Sequence, residues 1–190
     1  MSEEIGIYLG NKGYTIYKAC LELSEQKAIR KELTVKPYIP KSPVQPDPFA
    51  IYRESHHKFY IPRFYGLDNY GDPDENRLPK GKNISLEFKG DLREYQKIIV
   101  DKYIDHVKES GGGLLDVDPG KGKTVMALYI ASKLKVKTLV IVHKSFLLNQ
   151  WIERIEQFLP DAKVGKIQGP TIDVEDKDIV IGMLQSLSTK

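Results

Sequence analysis

The chain has 190 residues, 41% of them apolar, with a formal net charge of +3. That is enough for one full domain or two small ones, and too apolar for a disordered chain. No apolar run approaches the roughly 18 residues a membrane helix needs, and the opening MSEEIGIYLG is acidic, without the basic-then-apolar signal pattern. The sequence therefore predicts an intracellular protein with no membrane partner. Cys20 is the single cysteine, so an internal disulfide is excluded, and it reads as a small buried hydrophobe. The net charge is too small to argue for nucleic-acid binding by itself.

Residues 1–85 hold eight of the eleven prolines and eight of the eleven tyrosines, and they read as a small accessory domain rich in β-structure. GYTIYKA is strand-like. SEQKAIRKEL predicts a short helix with Ser24 as its N-cap. LTVKPYI reads as extended, and KSPVQPDPF is too rich in proline for a helix or an internal strand. FAIYRES followed by HHKFYIPRF predicts a hairpin turning near His56 and His57. DNYGDPDENRLPKGKN reads as a polar linker. Arg53, Lys58 and Arg63 interleave with Tyr52, Tyr60 and Tyr65 along this part of the chain. Such a pattern serves nucleic-acid contact or ordinary half-buried sheet positions, and both readings stay open. His56 and His57 are poor metal ligands, with no cysteine or further histidine close by.

Residues 86–190 alternate between helix and strand, the mark of a parallel α/β sheet with flanking helices. Asp91 and Glu94 have the spacing of a capping box. A helix should follow and end at Ser110 and the three glycines behind it. GLLDVD predicts a short strand, KTVMALYIASKL a helix and KTLVIVH a buried strand. SFLLNQWIERIEQFL predicts an amphipathic helix capped by Ser145, with Leu148, Trp151, Ile155 and Phe158 on one face. KVGKIQG and DIVIGMLQ are further strands, and the acidic TIDVEDKD reads as a solvated loop.

DVDPGKGKT, residues 116–124, stands between a predicted strand and a predicted helix, the setting a phosphate loop requires. Successive backbone N–H groups at such a turn converge on phosphate, where the helix dipole favours negative charge. Gly120 and Gly122 allow close approach. Lys123 would reach the β- and γ-phosphates, Thr124 would complete a Mg²⁺ shell, and Lys121 would add a second positive charge or face solvent. Val117 stands where the usual first glycine would be, Asp118 would repel a triphosphate if it faced inward, and Pro119 has no N–H to donate. Upstream, LREYQ offers Gln96, able to donate to and accept from an adenine edge, with Arg93 in support. Downstream, VHKSFLLNQW lies where a strand passes into a helix. There His143, Lys144 and the amides after Ser145 would hold a phosphodiester backbone.

LREYQ, DPGKGKT, VIVHKSFLLNQW and DIVIGMLQSLS, in this order, resemble the first motor domain of superfamily 2 helicases. The likeness is nearest to the XPB-like branch, which includes helicases of large DNA viruses and the phage UvsW type. The resemblance implies a partial RecA-like P-loop domain over residues 86–190, preceded by the accessory domain over residues 1–85. It implies ATP and Mg²⁺ bound through Arg93, Gln96, Gly120, Lys121, Gly122, Lys123 and Thr124, with Thr124 on the metal. Nucleic acid, DNA ahead of RNA, would be held through His143, Lys144 and Ser145, with transcription or repair machinery as a candidate partner. It tolerates Val117, while Asp118 and Pro119 depart from the family pattern. It also implies that the chain stops before the Asp-Glu motif that binds metal and activates water, so no catalytic residue is assigned. The leading expectation is the ATP-binding part of an ATP-dependent helicase or translocase. A non-catalytic nucleic-acid-binding module on a degenerate motor fold is the alternative. A nucleotide kinase explains the loop but neither LREYQ nor VHKSFLLNQW.

Overall fold

The computed structural model describes residues 6–189. The chain divides into two compact units between Lys80 and Gly81.

The first unit is a five-stranded sheet with two helices on one face. Its elements are β1 (Ile7–Gly10), β2 (Gly13–Tyr17), α1 (Leu23–Glu32), β3 (Thr34–Val35), β4 (Phe49–Ala50), β5 (Arg53–Glu54), β6 (Lys58–Ile61), α2 (Arg63–Tyr70) and β7 (Glu75–Asn76). The order is β5-β6-β2-β1-β7, and β3 pairs separately with β4. Along each strand alternate residues face the helices: Leu9, Tyr14, Ile16, Phe59 and Ile61 pack with Ile29 and Leu33 from α1. Tyr65, Leu67 and Tyr70 of α2 join the same core. Tyr14 is fully buried and its hydroxyl donates to Gly71 O at 2.9 Å. Gly66 lets α2 lie on that ring, because a Cβ there would sit 2.2 Å from Tyr14 Cγ.

Several expectations change in this unit. The cap of α1 is Glu22, not Ser24. The Glu22 N–H donates to Glu25 Oε2 at 2.7 Å, completing a capping box two residues before the predicted cap. The predicted linker closes the sheet instead: β7 runs parallel to β1, and Asp74 Oδ2 accepts the N–H groups of Gly6 and Ile7 at 3.0 and 2.9 Å. Cys20 is exposed rather than buried, on a short 3-10 turn after β2. The hairpin at His56 and His57 forms between β5 and β6. Tyr52 and Tyr65 turn to the core, and the Tyr65 hydroxyl donates to Glu32 at 2.6 Å.

The second unit carries α3 (Glu94–Ser110), α4 (Lys123–Leu134), β8 (Thr138–Val142), α5 (Ser145–Phe158), β9 (Val164–Gln168), β10 (Thr171–Ile172), β11 (Ile179–Met183) and α6 (Leu184–Ser188). The strand order is β10-β9-β11-β8. β11 is parallel to both neighbours and buried along its whole length, as a continuous apolar run in a parallel sheet should be. Leu128 of α4 and Leu148, Ile155 and Leu159 of the α5 region pack with Val142, Ile179, Ile181 and Met183. Phe88 stacks on Phe158, centroids 5.4 Å apart. Parallel strands flanked by helices make this a mixed α/β fold of the RecA-like kind the motifs imply.

GLLDVD does not form a strand. No described strand runs beside it, so its amides join no ladder, yet it keeps the alternation of one. Leu115 and Val117 pack on Val100 and Met126, while Leu114 is 90% exposed. The TIDVEDKD segment supplies the short exposed strand β10, antiparallel to β9, before a turn leads into β11. No described helix is long and apolar enough to cross a membrane.

Candidate nucleotide and nucleic-acid site

Two helices frame the glycine loop. α3 begins after Arg93, not at Asp91, because Gln96 rather than Glu94 reaches back: its Oε1 accepts the Arg93 N–H at 2.9 Å. A guanidinium has no lone pair with which to complete a capping box, so this start is capped from one side. The other end of the same amide, Gln96 Nε2, donates to Lys121 O at 2.8 Å. The Tyr95 hydroxyl donates to that oxygen as well, at 3.0 Å. The first turn of α3 therefore pins the middle of the loop through one carbonyl. Gln96 is 5% exposed, and a buried amide must be bonded at both ends.

Gly120 and Gly122 have φ of 79° and 82°, the left-handed region that only glycine enters without strain. Gly122 is also the N-cap of α4, and a Cβ there would lie 2.4 Å from Gln96 Nε2. Two independent constraints thus require glycine at that position. Lys123 is the first residue of α4, and its Nζ donates to Val117 O at 2.7 Å across the loop. Lys121 sends its ammonium over the Tyr95 ring, 5.9 Å from the centroid. Thr124 follows in the first turn of α4, half-buried, while Asp116 and Asp118 are exposed. The structure thus gathers Arg93, Gln96, Gly120, Lys121, Gly122, Lys123 and Thr124 around one loop.

The residues fit a triphosphate on two counts. The left-handed glycines lie at the start of a twelve-residue helix, whose first amides have no intrahelical acceptor. The ammonium of Lys123 is held by a neutral carbonyl, not a carboxylate. Among the described residues no cluster of three or more His, Cys, Asp or Glu side chains suits a metal held by protein alone.

His143, Lys144 and Ser145 form a second cluster at the carboxyl end of β8, all exposed. Ser145 is the first helical residue of α5 and not its cap. Lys144 takes that place, its carbonyl accepting the N–H groups of Leu147 and Leu148 at 3.1 and 3.3 Å. β8 and β11 end level, Val142 opposite Met183. Gln185 Nε2 donates to His143 O at 3.0 Å, tying this turn to the start of α6. Two partners escaped the sequence reading. Tyr95 was visible as a neighbour of Gln96, but nothing in the sequence reports which carbonyl its hydroxyl finds. The Gln185 link joins positions 42 apart and has no local signature.

Comparison with known proteins bears on this arrangement. Residues 89–190 match the family described as type III restriction enzyme, res subunit. The chain is 35% identical over 195 residues to "Putative ATP-dependent RNA helicase L396" of Acanthamoeba polyphaga mimivirus, covering 99% of this chain and 37% of that protein. It is 31% identical over 113 residues to "DNA 3'-5' translocase XPB2" of Sulfurisphaera tokodaii, covering 60% of this chain and 25% of that one. The Sulfolobus solfataricus SWI2/SNF2 ATPase core in complex with dsDNA aligns over 59% of this chain and 25% of its own, with 26% identity and a TM-score of 0.49. The chain thus spans little more than a third of the length of the mimivirus relative. The family match covers more than half of the chain and all of the loop and strand-end residues described above: the chain belongs to the type III restriction enzyme, res subunit family, among the superfamily 2 helicases.

Proposed function

We propose that this chain is the ATP-binding and nucleic-acid-contacting part of an ATP-dependent helicase or translocase. The observation that carries the reading is the loop. Paired left-handed glycines open α4 while Lys123 bridges back to Val117 O. Amides from Gly120 to Thr124 receive the phosphates, Pro119 contributing none. Lys123 exchanges a carbonyl for a phosphate oxygen, replacing a neutral acceptor by an anionic one. Magnesium, when bound, would neutralise phosphate charge. Thr124 is the residue that would hold it. Gln96 already spends one donor and one acceptor on the loop, so adenine contact would draw on its remaining hydrogen and lone pair. Arg93 stands beside it. His143, Lys144 and Ser145 take the nucleic-acid backbone at the carboxyl edge of the sheet, where ligands of open α/β folds bind.

DNA is the polymer proposed, with transcription or repair machinery inside a cell as the setting. Family membership favours this reading over a non-catalytic module, and Asp118 and Pro119 are exposed on the loop. Calorimetry with ATP and Mg²⁺ tests it. Replacing Lys123 by Ala removes one charge-assisted contact, so affinity should fall about 10- to 100-fold. Unchanged affinity sinks the assignment. Phosphoryl transfer to water also needs a group that orients the water. None is assigned among the described residues, and we propose that these 190 residues bind ATP without appreciable turnover. Robust turnover stimulated by single strands, lost in Lys123→Ala, would overturn that part.

A further inference from the structure

The helices of the first unit pack on one face of its sheet, and on the other face exposed and half-buried side chains surround Thr15, which is 1% exposed. Strand register fixes what this open face carries. Arg53 pairs with Tyr60, Tyr60 with Thr15, Thr15 with Tyr8 and Tyr8 with Glu75. Ladder partners point to the same side, so these residues form one row across five strands. Tyr17 and Lys58 form a flanking row. Their neighbours Leu9, Tyr14, Ile16, Phe59 and Ile61 point the other way, into the core.

The open face combines aromatic rings with cations. The Arg77 guanidinium lies 4.0 Å from the Tyr8 centroid, Lys58 Nζ lies 4.4 Å from that of Tyr17 and 5.3 Å from that of Tyr8, and Lys12 Nζ lies 5.0 Å from that of Tyr60. Hydrogen bonds to the Tyr17 and Tyr8 hydroxyls raise the pKa of Lys58, which keeps it charged. Four cations, Lys12, Arg53, Lys58 and Arg77, share the face with one carboxylate, Glu75, and that one is already paired with Arg77 at 2.6 Å. Gly10 and Gly13 leave the sheet bare at one end, where a hollow of about 260 Å³ opens between Tyr8, Thr15, Tyr60 and Lys12. A second, of about 350 Å³, shares Lys12 and Tyr60 and runs on past Arg53. The result is a continuous basic track with tyrosine rings along it.

We propose that this face binds single-stranded nucleic acid, bases against Tyr8, Tyr17 and Tyr60 and phosphates on Lys12, Arg53, Lys58 and Arg77. The proposal rests on the nucleic-acid reading given above and adds a second contact surface to it. Charge complementarity favours a polyanion. Ring faces favour unpaired bases, because every base has a π-face to offer and a duplex keeps its bases stacked inside. Each ring now holds a cation, and a strand would take both, the base on the ring and the phosphate on the released cation. Of the interleaved residues in the sequence, Tyr60, Arg53 and Lys58 belong to this track. Tyr8, Tyr17, Lys12 and Arg77 come to it from strands and turns distant in sequence.

The test is fluorescence anisotropy of the whole chain with a labelled oligodeoxythymidylate of about 20 nucleotides, longer than the usual site of a single-strand binder. Tyr60→Leu should weaken binding about tenfold. The double variant Lys58→Met, Arg77→Met should weaken it and lower the salt slope by about two. A thiothymidine-substituted strand should crosslink to Tyr8, Tyr17 or Tyr60 in the unaltered chain, which does not depend on how any variant folds. Lys144→Ala separates this proposal from the motor-unit reading. Loss with Lys144→Ala but none with the sheet variants, and no sheet crosslink, overturns the proposal alone. Loss with the sheet variants but none with Lys144→Ala upholds the proposal and removes the β8 contact. Absence of binding overturns both. Tighter binding to the matching duplex, indifferent to Tyr60→Leu, overturns the single-strand assignment.

Discussion

The Glu54 cluster of the first unit and the glycine loop of the second use their positive charge differently. In the first, Glu54 holds two cations: Arg30 Nε and Nη2 donate to its two oxygens at 3.1 and 2.9 Å, and Lys18 Nζ lies 2.7 Å away. Charge there is matched by charge, and it fastens the hairpin to α1. At the glycine loop of the second unit the partners recorded for the lysines are neutral, a carbonyl for Lys123 and a ring for Lys121. A phosphate displaces a neutral acceptor readily and a carboxylate only by separating an ion pair. The contrast separates a cation held by a carboxylate from one held by a neutral group.

Breaking the loop should give the largest effect. Gly122→Ala places a side chain at φ 82° and drives its Cβ to 2.4 Å from Gln96 Nε2. We expect a stability loss of about 1–3 kcal/mol and no measurable ATP binding. Thermal unfolding and calorimetry on the same sample check both. A variant that binds ATP normally shows that the loop does not need this turn. Next comes Gln96→Leu, which removes a buried amide but keeps the volume. The Lys121 carbonyl keeps Tyr95 as a donor, and the Arg93 N–H at the start of α3 loses its acceptor. Losing that part-buried bond costs about 0.5–1.5 kcal/mol, and ATP affinity should drop about tenfold through the loosened loop. If affinity holds while stability falls, Gln96 is a brace for α3 alone.

The second unit was the more legible in sequence, and the reasons are physical. Buried parallel strands such as Ile179–Met183 are continuous apolar runs, and α5 keeps its apolar residues on one stripe. Both signals are local. Gly120 and Gly122 were legible because left-handed backbone demands glycine. The helix starts were missed by one or two positions at Ser24, Asp91 and Ser145. Several polar residues near a helix start can serve as cap, and tertiary contacts choose among them, as Gln96 does at Arg93. β1 and β7 were missed because neither is strand-like alone. Glu75–Asn76 is extended only because β1 supplies a partner 67 residues earlier. GLLDVD erred the other way: its alternation is real, but a strand needs a neighbour as well as a pattern.

The smallest effect sharpens the structural side of the contrast. Hydrogen bonds from Arg30 and then Lys18 bring the Glu54 pKa down from 4.5 to about 2, against an opposing effect of burial. A carboxyl whose folded pKa lies below its unfolded value binds fewer protons when folded. Its stabilisation is therefore complete above pH 4.5 and is lost as pH falls through about 2. The pair is about a third exposed, so solvent screening limits its worth to about 1 kcal/mol. Glu54→Gln keeps the shape and removes the charge. At pH 7 the variant should melt a few degrees lower, since about 1 kcal/mol moves the midpoint of a domain this small by roughly 4–8 °C. As pH falls from 5 toward 2 the two melting curves should converge, because the protonated glutamate has lost what the glutamine never had. Curves that stay parallel down to pH 2 would mean that the cations around Glu54 contribute only their contacts with Phe59, over which Lys18 and Arg30 lie at 4.9 and 5.0 Å.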